Sequence, residues 1–139
     1  VVLKESTDAA YAPAHLEHRL RHFLLEDGQI IDAAATALCA GDLAAFGKQV
    51  DLSQEYSASV LENQVDETVG LARLARQEGA LAASAFGAGF GGSVWALVEE
   101  ARADSFTRVW EAAYVHAFPQ AAKSALYFTS RPGPAACAL

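Results

Sequence analysis

The chain contains no methionine among its 139 residues, not even at position 1. An open reading frame needs a start, so this absence predicts a piece of a longer protein. Cysteine is almost missing as well. Cys39 and Cys137 make neither a disulfide framework nor a zinc motif. Two buried free thiols are the expectation in a reducing compartment. No apolar run approaches a membrane span, and Val1-Val2-Leu3-Lys4-Glu5 lacks a signal-peptide layout, so the default location is cytoplasmic. Positive charge is in short supply: 10 Lys and Arg stand against 17 Asp and Glu, for a net charge of -7. Such a surface repels phosphate backbones and anionic lipid, which argues against nucleic-acid and membrane partners.

What remains is the composition of a packed globular domain, 53% hydrophobic and 19% charged. The length predicts a single domain over 1–139. Gly87-Ala88-Gly89-Phe90-Gly91-Gly92-Ser93 is its most informative stretch. Glycine loses more conformational freedom on ordering than any other residue, so a cluster needs a positional reason. That reason is either a positive φ or a backbone that must lie close against another surface. A dinucleotide-binding GxGxxG leads from a strand into a helix, whereas Ser93–Val98 is apolar and β-prone with no helix start. The glycines are therefore read as a loop joining two strands, Ala80–Phe86 and Ser93–Val98. Its backbone N–H groups suit an anion, and a bare hairpin connection is the other reading.

Upstream, His15 to about Leu38 reads as one long amphipathic helix. Leu16, Leu20, Phe23, Leu24, Ile31, Ala34 and Leu38 form its inward stripe. Gly41 is placed to end it and Asp42 to cap the next helix, which carries Leu43, Phe46 and Val50 on one face. A third helix is predicted over Val65–Gln77, with Val69, Ala72 and Leu74 or Ala75 inward and Gly79 as its stop. Beyond the strand pair, Asp104 is placed to cap a fourth helix with an apolar stripe of Phe106, Val109, Trp110, Ala113 and Tyr114, ended near Pro119. Ser124–Thr129 and Ala135–Leu139 read as short strands around the turn Arg131-Pro132-Gly133-Pro134. The order predicts an α+β fold, an antiparallel four-stranded sheet packed against helices. Residues 1–13 lack periodicity and read as a frayed segment or interdomain strap.

Other candidate chemistry is sparse. His15, His18 and His22 share one helix face at a spacing that suits metal, against a solvated face beside Arg19 and Arg21; the expectation is no metal. Ser53, Glu55, Tyr56, Ser57, Ser59, Glu62 and Asn63 form a polar stretch that either lines a cleft or meets solvent. Asp66 and Glu67 look like first-turn acids complementing a helix dipole. Trp95, Trp110, Tyr114, Tyr127 and Phe128 read as core or interface aromatics. No nucleophile with its base and no Walker-type lysine is present, so no catalytic residue is assigned.

Gly79 to Val98 resembles the third motif of the GHMP small-molecule kinases in its galactokinase form, a strand-loop-strand around GAGFGG. Arg19-Leu20-Arg21-His22 resembles the RARH of galactokinases, and Ala40-Gly41-Asp42-Leu43-Ala44-Ala45-Phe46-Gly47 their AGDL-x-x-FG connection. Ser124-Ala125-Leu126-Tyr127-Phe128 with Ala136-Cys137-Ala138-Leu139 resembles their C-terminal strand pair. The resemblance covers about residues 15–139 and implies the ferredoxin-like C-terminal domain of a sugar kinase. In such kinases Mg-ATP phosphorylates a sugar hydroxyl, usually anomeric, in a cleft between two domains. The phosphate loop, the catalytic Asp and the positioning Arg belong to the N-terminal domain, and none of those motifs occurs here. ATP and Mg would thus be held mainly by that domain, the expected partner within the same polypeptide.

The resemblance implies that Gly87, Ala88, Gly89, Phe90, Gly91, Gly92 and Ser93 lie beside the phosphate loop and the sugar. Phe86, Glu62 and Asn63 are then the candidate cleft-lining residues. Where galactokinases carry DDYEVS, this chain reads Leu61-Glu62-Asn63-Gln64-Val65-Asp66-Glu67-Thr68, so a sugar kinase is implied without assigning galactose. Ser93 replaces a usual cysteine, and Phe86 a small Thr or Ser. The chain alone is expected to be inactive. A non-catalytic ligand-sensing relative, or an unrelated ferredoxin-like binding module, are the alternatives.

Overall fold

The computed structural model describes residues 12–133. Helix α1 (Pro13–Leu25) starts with Pro13 in its first turn, where the missing N–H costs nothing. It runs through one π-type turn, Glu26–Ile30, into α2 (Ile31–Cys39). A π turn absorbs an extra residue and rotates everything after it by about 100° relative to the preceding face. The single stripe expected from Leu16 to Leu38 is therefore broken. Leu20, Phe23, Leu24, Ile31 and Leu38 are exposed, and no residue of α1 is buried among the described residues. Ile30 and Ala37 point inward instead.

Gly41, at φ +71°, ends α2 as expected, and the Asp42 carboxylate accepts the Ala45 N–H at 2.9 Å to start α3 (Leu43–Ser59). Helix α4 (Asp66–Gln77) opens with Asp66 and Glu67 in its first turn and stops at Gly79, φ +95°. It buries Ala72 and Ala75. The strands are β1 (Ala82–Phe86) and β2 (Ser93–Leu97), antiparallel, with Ser84 opposite Trp95 and Ala83 opposite Ala96. Helix α5 (Ala103–Ala117) follows a 3-10 turn at Glu100–Arg102. Asp104 falls inside its first turn and does not cap it, because the 3-10 turn leads into the helix without a capping side chain.

Opposite faces of the strand pair meet different helices. Ala83, Val94 and Ala96 belong with Ala72, Ala75, Phe106 and Trp110 to the main core under α4 and α5. Ser84 and Trp95 face the other way, toward α3. Two close approaches fix this layering. Gly47 of α3 lies against β1 so tightly that an added Cβ would sit 2.1 Å from the Leu81 carbonyl oxygen. Arg76 of α4 sends Nε and Nη2 to the two Asp51 carboxylate oxygens of α3, each at 2.9 Å, and Nη1 to the Ala80 carbonyl. One guanidinium thus joins two helices and the start of the sheet.

The four-stranded expectation is corrected. Among the described residues the sheet has two strands. Ala121–Ser124 is a 3-10 turn, and residues 125–133 join no ladder among the described residues, with Leu126 and Phe128 90% and 85% exposed. The expected fourth strand, Ala135–Leu139, lies outside the described residues, as do Cys137, Pro134 and residues 1–11. The aromatics divide as well. Trp110 and Tyr114 are buried, Tyr127 stands edge-on to Trp110 at 5.5 Å, and Phe128 is on the surface. Cys39 is an exposed free thiol rather than a buried one, because the last turn of α2 faces solvent.

Replacing Gly47 by Ala should cost about 1–3 kcal/mol in urea unfolding, since α3 must lift from β1. A smaller loss would mean that the helix does not rest on the Leu81 carbonyl. Burial first, then the nearby Tyr114 and Glu111, push the Tyr127 phenol from 10.0 up to about 12. The fold holds its proton more tightly than the unfolded chain does. This contribution to stability is therefore complete below pH 10 and is lost as pH rises through 12. Tyr127→Phe should flatten the decline in unfolding free energy between pH 10 and 12, and an unchanged slope would refute the assignment.

Candidate functional site

The glycine loop occupies the turn between β1 and β2, and its backbone explains its composition. Gly87, Gly89, Gly91 and Gly92 have φ of +92°, +88°, +112° and +100°, and Phe90 between them has +60°. An L side chain is strained across this region, so the four glycines answer a conformational demand. Close approach is required at one of them. An added Cβ on Gly87, Gly91 or Gly92 meets nothing within 4 Å. On Gly89 it would lie 2.1 Å from the Asn63 carbonyl oxygen and 2.6 Å from Asn63 Nδ2.

Asn63 belongs to the connection between α3 and α4, and the loop is docked on it. Its carbonyl accepts the Phe90 N–H at 2.5 Å, and its Nδ2 donates to the Ala88 carbonyl at 3.2 Å. Glu62 beside it takes φ +55°, so the chain reverses there and delivers Asn63 to the loop. Behind Asn63, Gln64 Nε2 donates to Asn63 Oδ1 at 3.2 Å, and the Thr68 hydroxyl lies 3.0 Å from Gln64 Oε1. A second anchor holds the strand leading into the loop. Gln54 Oε1 on α3 accepts the Ala85 N–H at 2.8 Å and the Ser84 hydroxyl at 3.0 Å.

The expected candidates therefore separate. Asn63 meets Ala88, Gly89 and Phe90, whereas the Glu62 side chain is exposed. Phe86 and Phe90 are 57% and 75% exposed, so neither ring is buried beneath the loop. Ser93 is exposed at the start of β2. Sequence reasoning missed Gln54 and the role of Thr68. Their only local signal is a polar residue on an otherwise packed face, and that does not reveal what it faces across the fold.

Among the described residues no group of three or more His, Cys, Asp or Glu is placed to hold a metal ion. His22 Nε2 is 3.4 Å from Ser57 Oγ and 3.8 Å from Glu26 Oε1, a helix-to-helix contact beside the π turn. A cavity of about 300 Å³ lies between the π turn, α3 and the sheet, lined by Glu26, Ile30, Val50, Ser84 and Trp95 among others. It sits behind the strands, away from the glycine loop.

Gly89→Ala should destabilise the chain more than Gly87→Ala in urea unfolding. Both pay roughly 1 kcal/mol for left-handed backbone, and only the first also collides with Asn63. Equal losses would mean that the loop does not rest there.

Known proteins resemble this chain in sequence and fold. The family of GHMP kinases C terminal matches residues 34–116. The galactokinase of Mycobacterium tuberculosis (strain ATCC 25618 / H37Rv) is 36% identical over 120 residues, 86% of this chain and 32% of that protein. The galactokinase of Streptococcus thermophilus is 38% identical over 93 residues, 65% of this chain and 23% of that one. The crystal structure of Lactococcus lactis galactokinase complexed with galactose superposes with a TM-score of 0.70 at 28% identity, covering 85% of this chain and 30% of that one. The chain spans about a third or less of the length of these relatives. By fold, by glycine loop and by extent of match, the chain belongs to the GHMP kinase C-terminal family, in its galactokinase-like form.

Proposed function

We propose that this chain is the substrate-side part of a sugar kinase that moves the γ-phosphoryl group of ATP to a sugar hydroxyl, the anomeric one, and that it is inactive by itself. The observation that carries this reading is the two-sidedness of the glycine loop. One side is closed by Asn63. The rest, at Gly87, Gly91 and Gly92, is bare backbone with open space before it, and the neighbouring Phe86 and Phe90 are exposed. Bare backbone of that kind accepts another backbone at close range, which is the role the phosphate loop of an N-terminal domain would fill.

The residues described here do not themselves fit Mg-ATP. Residues 87–93 carry no charged side chain, and no cluster of carboxylates suited to Mg among the described residues adjoins them. Phosphate neutralisation is therefore assigned to the part of the kinase that this chain does not span. Phosphoryl transfer draws its rate mostly from positioning and charge neutralisation. This chain contributes positioning: a rigid hairpin, held at Asn63 and Gln54, against which the transferring group and the sugar are confined. A cytoplasmic location suits this reading and the acidic surface.

The test is a sugar panel with ATP and the full-length protein, reading ADP release. At least one aldose should give stoichiometric ADP and a sugar 1-phosphate, while the chain 1–139 alone gives none. Turnover by the isolated chain would overturn the division of labour. Sugar binding by the full-length protein without ADP release would point to a ligand sensor built on the same fold.

A further inference from the structure

We infer that Asn63 is the positioning residue of the glycine loop, acting through its carboxamide and aimed by Gln64 and Thr68. The inference rests on the proposed kinase reading only for its kinetic consequence.

Three consecutive loop residues meet this one side chain and its carbonyl. Ala88 O takes the Nδ2 hydrogen at 3.2 Å, Gly89 lies in van der Waals contact, and Phe90 N–H points at the Asn63 carbonyl. The amides run in one direction. The Thr68 hydroxyl has two acceptors at 3.0 Å, Gln64 Oε1 and the Val65 carbonyl, and the first of them continues the relay: Gln64 Nε2 donates to Asn63 Oδ1, and Asn63 Nδ2 donates to Ala88 O. With Oδ1 occupied by a donor, the amide of Asn63 cannot flip without setting acceptor against acceptor at Ala88 and donor against donor at Gln64.

The far end of the relay is rigid. Thr68 is 5% exposed and stands in the first turn of α4, whose Ala72 and Ala75 lie in the core. Its hydroxyl also accepts the Val65 N–H at 3.3 Å, which holds the connection against the helix start. The loop is thus referenced to the core of the domain by a chain of side chains, which supplies the restraint that glycine backbone lacks by itself. A hairpin tip of four glycines would otherwise wander, and a wandering backing surface positions nothing.

The carboxamide has a specific job that bulk alone does not do, and near-isosteric variants separate the two. In Asn63→Asp an acceptor replaces the donor facing Ala88 O. In Thr68→Val the hydroxyl is lost at constant shape, whereas Thr68→Ser keeps it. The variants are made in the full-length protein. Hydrogen exchange is read at amides 88–92 against amides 69–77 of α4, and kcat and KM are read with the sugar that the panel identifies.

Asn63→Asp and Thr68→Val should speed exchange at 88–92 and leave 69–77 unchanged. They should lower kcat by about tenfold, the upper end of what one lost hydrogen bond contributes, with the sugar KM within about twofold. Thr68→Ser should match the parent in both readouts. Unchanged exchange at 88–92 in Asn63→Asp overturns the inference, as does equal damage from Thr68→Val and Thr68→Ser. Faster exchange with unaltered kcat overturns it too. If no sugar is turned over by the full-length protein, the kinase reading fails, and the exchange comparison alone decides the role of Asn63.

Discussion

At the tip of the β1–β2 hairpin two backbones touch with no room for a methyl group between them. Gly89 lies on the Asn63 carbonyl, and everything distinctive about the loop follows from that contact. It requires glycine at one position, and the left-handed path needed to reach it requires glycine at three more. It also requires that α3 and α4 be held so that the connection between them arrives at the right height. The bond from Asn63 to Phe90 N–H and the side-chain bond to Ala88 turn a steric coincidence into a docking site.

That height is set by a second set of contacts deeper in the fold. Gly47 lets α3 lie on the Leu81 carbonyl, and Arg76 ties Asp51 to the Ala80 carbonyl. The Arg76–Asp51 pair is partly exposed and adds little free energy of its own. Its value is geometric, since a planar guanidinium with two parallel bonds to a carboxylate fixes direction as well as distance. Gln54 adds a third restraint by taking the Ala85 N–H from the side of α3. The hairpin is therefore fixed along its length, at Leu81, Ala85 and Ala88–Phe90, by groups from α3 and the connection after it.

Helices α3, α4 and α5, both strands and the two glycine stops were legible from periodicity and turn chemistry, because local sequence carries those signals. The π turn was not. Nothing in Glu26-Asp27-Gly28-Gln29-Ile30 announces an extra residue per turn, and among the described residues no helix or strand packs closely over Leu20, Phe23 and Leu24 of α1, which stand exposed. Periodicity marks a face as apolar without saying what covers it. The strand expected at Ser124–Thr129 failed for a related reason. Alternation gives a strand its pattern, but a ladder needs a neighbour, and Leu126 and Phe128 stand exposed without one among the described residues.

The glycine loop shows where the boundary lies. The sequence by itself determined that Gly87–Gly92 is a loop between strands, and that its glycines answer a demand on the backbone. It also determined membership of a kinase family through ordered motifs. Only the tertiary structure decided which demand acts where: positive φ at all four glycines and close approach at Gly89 alone. It alone set Asn63 against the loop, left the Glu62 and Phe86 side chains exposed, and brought in Gln54, Gln64 and Thr68. The physical reason is range. A dihedral preference is a property of one residue and its neighbours. A hydrogen bond between positions 63 and 88 exists only once two helices and a sheet have packed to bring those positions together.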